Sequence, residues 1–119
     1  NATGSTEQKL NYLKLAEDAY LRALQIDDRY TRCMYALGVL YVFELDEPAK
    51  AIPYLEKLLT IDTKHIDAMF VLARAYYSTF EFDKAVQMYD KIIATSNSEE
   101  TKSNAEANKK IALEAAYAK

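Results

Sequence analysis

Glycine and proline number only two each in 119 residues, and tryptophan is absent. A β-rich or loop-rich fold needs more turn formers than that. Cysteine occurs once, at Cys33, which excludes an internal disulfide. Histidine also occurs once, at His65. No apolar run approaches the roughly 18 residues of a membrane span, and no signal peptide opens the chain. No block of one charge sign is present, and the formal net charge is -3. That balance argues against nucleic acid as a partner, because such binding rests on basic residues that neutralise phosphates.

What remains is rich in helix formers. Half of the chain is hydrophobic, enough for a real core. Ala, Leu, Lys and Glu dominate, and all favour helix. An all-α domain with short connections follows. Asn1-Ala2 has the look of a cleaved purification tag, so residues 1–4 are set aside as an unfolded start and the folded domain as 5–119. A trimmed signal or anchor would then leave no trace, and the sequence gives no compartment.

The chain repeats itself. Met34, Leu37-Gly38 and Tyr41 return as Met69, Leu72-Ala73 and Tyr76, at an offset of 35 residues. Ala16, Tyr20, Ala23 and Ile26-Asp27 return as Ala51, Leu55, Leu58 and Ile61-Asp62 at the same offset. The next copy, Ala85, Tyr89 and Ile92, follows at 34. One extra residue in the turn Glu44–Pro48, set against Thr79–Phe82, accounts for the difference. Two independent marker sets share one frame, and a period of this length marks a stack of supersecondary units.

This pattern resembles the tetratricopeptide repeat, with its W-x2-L-G-x2-Y, A-x3-F and closing P. Met replaces Trp at 34 and 69, and Asp28, Thr63 and Asn97 stand where the Pro usually does. The resemblance covers roughly residues 13 to 96 and implies a right-handed α-solenoid of antiparallel helix pairs, about six helices in all. The small residues Gly38, Ala73, Ala16, Ala51 and Ala85 fall where paired helices cross. One hairpin cannot bury both of its faces, so neighbours must stack.

The frame predicts a long orphan helix over 6–27, with Ser5 as its cap and Gln8 completing a capping box. Its second half is a B-type helix whose A partner would need residues before position 1. Two whole repeats follow, 30–61 and 65–95. Pro48 suits the start of the B helix at 47–61, and Pro53 is expected to bend it slightly. A terminal helix over 97–118 is expected, capped by Ser96 with Glu99. Ile111, Ala112, Ala115, Ala116 and Tyr117 would be its apolar face. It reads either as a shielding cap or as the first helix of a further repeat.

The resemblance also implies where ligands bind. Its A helices line a concave groove, and the groove positions map onto Arg32, Tyr35, Val39, Val42 and Phe43, then Asp67, Phe70, Arg74, Tyr77 and Ser78. Helical spacing supports this independently. Positions 35, 39 and 42 share a face opposite much of the core face at 34, 37 and 41. Those side chains need cover, from another protein or peptide, from a second copy in a homodimer, or from the first or last helix of the chain itself. Some members of the family clamp a carboxyl terminus with Lys and Asn at groove positions. Here Tyr35, Val39 and Phe70 occupy those places and only Arg74 is suitable, so an apolar or amphipathic segment fits better. A self-assembling segment of a longer array is the alternative.

No enzyme signature competes. There is no phosphate-binding glycine loop, no H-E-x-x-H and no Ser/His/Asp set, and hence no catalytic, cofactor or metal site is assigned. His65, near Asp62 and Asp67 in a turn, reads as helix-end polarity, since a metal needs more ligands in reach. Cys33 reads as a buried structural thiol.

Overall fold

The computed structural model describes residues 2–118. Their secondary structure is entirely helical: α1 (Ala2–Ile26), α2 (Thr31–Val39) continued by a π segment (Leu40–Glu44), α3 (Pro48–Ile61), α4 (Ile66–Ser78), α5 (Phe82–Thr95) and α6 (Glu99–Tyr117). The helices stack in chain order. α2 pairs with α3 and α4 with α5, while α3 packs on α4 and α2 also touches α4. α1 packs on α2 and the π segment, and α6 lies along α5. This is the all-α repeat architecture that the 34/35 periodicity predicts.

The core follows the repeat markers. Met34, Leu37, Leu55, Leu58, Met69, Leu72 and Ile92 are the largest fully buried side chains. Gly38 lies against Leu55, and a Cβ on Gly38 would stand 2.6 Å from Leu55 Cδ2 and 2.8 Å from Cγ. Here glycine is required by a close approach of helices. Ala51, Ala73 and Ala85 are likewise buried at crossings.

Tyr41 and Tyr76 anchor a polar device that recurs with the repeat. Each hydroxyl reaches back to the preceding B-type helix and donates a hydrogen bond to a carboxylate. Tyr41 meets Glu17 Oε2 at 2.6 Å, and Tyr76 meets Glu56 Oε2. A lysine of the following helix sits over each ring, Lys50 at 5.8 Å and Lys84 at 5.7 Å from the centroid. Each lysine is paired in turn with the residue that precedes its helix, Glu47 or Glu81. One aromatic thus ties three successive helices together.

Four expectations need correction. The first helix begins at Ala2, so residues 2–4 are helical and Ser5 lies inside α1 rather than capping it; position 1 is outside the described residues. Gly4-Ser5 costs about 1 kcal/mol of propensity, too little to stop a helix that gains a backbone bond with each residue added. The extra residue between the repeats is not taken up by the turn. It sits in the helix as the π segment, whose wide hydrogen bond runs from Leu45 N to Leu40 O at 2.9 Å. Both turns then end alike, with Asp46 and Phe80 left-handed at φ 52° and 66°. The last helix starts at Glu99, because Ser98 rather than Ser96 caps it, accepting from Thr101 N at 3.3 Å. Ser96 instead accepts from Ser98 N at 3.0 Å and holds the turn. The buried face of α6 is Ala105 and Ala112, while Ile111 and Tyr117 are 51% and 86% exposed. Alanines seven apart fall on one side of a helix and let it lie close to α5, and Lys109 to Asp90 at 2.7 Å fixes that side inward.

Candidate functional site

The candidate groove is built on α2, the π segment and α4. All ten predicted groove residues lie on these elements. They divide into two kinds. Tyr35, Val39, Val42, Phe70 and Tyr77 are half-buried and pack against the core. Arg32, Phe43, Asp67, Arg74 and Ser78 are exposed, with Phe43 57% open. The spacing argument therefore holds at the five inner positions, which neither sink fully nor stand free.

Part of the cover on the three aromatics comes from rings outside the expected groove. Tyr35 meets His65 at a tilt, 5.2 Å between centroids, Phe70 meets Tyr89 likewise at 6.4 Å, and Tyr77 stands edge-on to Phe82 at 5.3 Å. The sequence places His65 in a turn, Tyr89 among the repeat markers and Phe82 at the end of the turn Thr79–Phe82. The signal was present in the frame, since Tyr89 repeats Leu55 with an aromatic and so reaches further toward the face. His65 has a second task. Its Nδ1 accepts from Ala68 N at 3.0 Å and caps α4, the helix-end role expected of it.

Neither terminal helix closes the groove. Of the three sources of cover open to the aromatic face, a terminal helix folded across it is not what the described helices show, since α6 lies along α5 and α1 beside α2. α1 instead forms one wall of a cleft of roughly 480 Å³. Leu13, Ala16 and Tyr20 face Tyr35, Ala36 and Val39 across it. A smaller cleft of roughly 300 Å³ lies at the turn between α4 and α5, beside Phe80, Phe82 and Ala116.

The electrostatics favour a neutral aromatic surface. Burial, and then the nearby Asp67 carboxylate, raise the Tyr35 phenol above its ordinary value. Burial likewise raises Tyr89, and the charge of Arg74 opposes the shift. Tyr41 and Tyr76 are raised further, by burial and by their bonds to Glu17 and Glu56. A phenol above its usual range of about 10 is a hydrogen-bond donor rather than a nucleophile at neutral pH. Cys33 is buried at 7% exposure, which suits a packing thiol. Among the described residues no three His, Cys, Asp or Glu side chains gather to hold a metal ion. No helix among them is long and apolar enough to cross a membrane.

Comparison with known proteins agrees with the helical-repeat fold. The tetratricopeptide-repeat profile matches residues 42–101. A TPR repeat-containing protein of Borreliella burgdorferi (strain B31) is 31% identical over 91 residues, which are 76% of this chain and 40% of that protein. The chain thus spans under half the length of that relative.

Proposed function

Because this chain belongs to the tetratricopeptide-repeat family, a family of protein-interaction scaffolds, we propose that it is a non-enzymatic scaffold whose concave face takes an apolar or amphipathic peptide or helix of another protein. The observation that carries the reading is the row of Tyr35, Phe70 and Tyr77, each half-buried with a neighbouring ring against it, and Val39, half-buried beside Tyr35. Rigid aromatics in a partly desolvated setting, rimmed by Arg32, Asp67 and Arg74, have the make-up of interface anchors. The groove lacks the cationic and amide pair that would clamp a carboxylate, so the ligand is held by its apolar side chains.

Peptide-phage display against the whole chain tests this. Selected peptides are expected to share aliphatic or aromatic residues at helical or extended spacing. Their affinity should fall at least tenfold, about 1.4 kcal/mol, on Phe70→Glu and clearly on Tyr77→Ala. Peptides that bind both variants as well as the parent would place the site elsewhere.

The second reading is assembly. It is favoured by large apolar side chains exposed at both ends of the stack, Leu10, Tyr12 and Leu15 on α1 and Ile111 and Tyr117 on α6. A stable homodimer in sedimentation, converted to a folded monomer by Leu15→Glu or Ile111→Glu and unaffected by Phe70→Glu, would support it over peptide capture.

A further inference from the structure

The start of α4 depends on one side chain. His65 stands at its N-cap, and the imidazole Nδ1 accepts from Ala68 N at 3.0 Å. No other hydrogen bond from that amide is made among the described residues. Ala68 is 0% exposed, so water is poorly placed to substitute for the ring. The other A-type helices begin differently. α2 has no side-chain cap at Tyr30, and α6 is capped by the Ser98 hydroxyl. Only at α4 is the cap a residue type that gains a proton in mildly acidic solution.

The same ring backs the concave face. It meets Tyr35 of α2 at 5.2 Å between centroids, tilted by 31°. The imidazole thus ties Tyr35 to the start of α4, the helix that carries Asp67, Phe70 and Tyr77. A neutral imidazole accepts at one nitrogen, but an imidazolium has N–H donors at both and accepts at neither. No rotation of a protonated ring restores the bond to Ala68 N. Protonation also puts a cation at the positive end of a helix. Attraction between that cation and the Tyr35 ring favours staying, yet a partly exposed contact of this kind is weaker than the penalty for a buried N–H left without an acceptor. Four charged groups flank the ring. Arg32 lies one turn before Tyr35 on α2, Asp62 and Lys64 are in the turn that leaves α3, and Asp67 is in the first turn of α4. Two carboxylates oppose two cations, and all four are exposed, where water screens them. None of them bonds Ala68 N.

We propose that His65 is a pH switch on the concave face: protonation uncaps α4, withdraws the ring from Tyr35 and loosens the groove, so that a groove ligand binds more weakly in mildly acidic solution. The cap is whole while His65 is neutral and is lost as pH falls through its titration. The switch rests on the cap and the ring contact, and its effect on a ligand rests on the groove reading above.

Two-dimensional NMR of the whole chain, titrated from about pH 7.5 to about pH 5, tests it. The Ala68 amide and the Tyr35 ring resonances are expected to move on one curve with the His65 ring. In His65→Asn, whose side chain caps at every pH, neither should move. In His65→Ala, both should already lie near the parent's acidic positions at about pH 7.5. Circular dichroism verifies that each variant folds. An Ala68 amide and a Tyr35 ring that stay in place while His65 titrates overturn the proposal, and so does a His65 that remains neutral throughout. The functional arm uses a display-selected groove peptide that lacks Asp, Glu and His. Its Kd for the parent should rise at least about threefold over the same range, in keeping with loss of one cap, and should stay constant for His65→Asn. Equal affinity for the parent at both ends of the range overturns the proposal as well. If no peptide is captured at any pH, the groove reading fails, and the NMR titration alone decides the switch.

Discussion

Tyr41 and Tyr76 show how much one residue type can do in a repeat. Each ring fills the space beside a helix crossing, and each hydroxyl binds a carboxylate on the preceding helix. A hydrogen bond to a charged acceptor contributes about 1.5–3 kcal/mol when partly buried. Tyr41→Phe is therefore expected to destabilise by about 1–2 kcal/mol in urea melts, with little change in m-value. The pH dependence has a definite sign. Both phenols are raised in the folded protein. Their contribution is full below the unfolded value of about 10 and is lost as pH rises through the folded values. Stability should thus hold to about pH 10 and fall above it, and the double Tyr→Phe variant should flatten that fall. The rings were legible in the sequence from their place in the motif. The glutamates were not, because Glu17 and Glu56 stand one helical turn apart in the repeat frame, and only the tilt of packed helices shows which carboxylate each hydroxyl reaches.

Gly38 is the other residue whose reason lies in a contact. Alanine there improves helix propensity by about 1 kcal/mol but drives a methyl into Leu55, and overpacking costs about 1–3 kcal/mol. The second effect wins, so Gly38→Ala should lower stability by about 1 kcal/mol. Leu55→Val added to it should recover part of the loss, a coupling that a double-mutant cycle measures.

At the scale of elements, helix number and order were readable, but their ends were read less well. Boundaries depend on caps that compete within two or three residues, as Ser96 and Ser98 do before α6. The π segment is the clearest case. The 35-then-34 spacing revealed one extra residue but not its lodging place, since a turn and a helix can each absorb it. The helix takes it because Tyr41 must stay on Glu17 while Glu47 keeps its place ahead of α3, with Glu47 N bonded to Tyr41 O at 2.8 Å. Deleting Phe43, exposed within the π segment, should convert that stretch to an ordinary helix end like that of α4. The variant is expected to keep a cooperative thermal melt and full helical circular dichroism. A deletion inside α3, by contrast, would rotate Leu55, Leu58 and Leu59 out of register and abolish the transition.

At the scale of the whole molecule, a stack touches only its neighbours, so stability is close to a sum of local interfaces. Among the described residues no helix buries Ala16 and Tyr20, which stay half-exposed, so the α1 end of these residues should open first. Hydrogen exchange is expected to be faster at the amides of α1 than at those of α4, the most thoroughly buried helix of the stack. The sequence by itself determined the fold class, the helical repeat and its period, and which side chains share one face of a helix. All of these follow from spacing along the chain, and spacing survives in one dimension. Tertiary structure alone decided which ring lies against Tyr35, Phe70 and Tyr77, and that an apolar cleft opens between α1 and α2. Those outcomes turn on which helices approach and at what depth. The helical period reports the face a residue lies on, but not what comes to meet it.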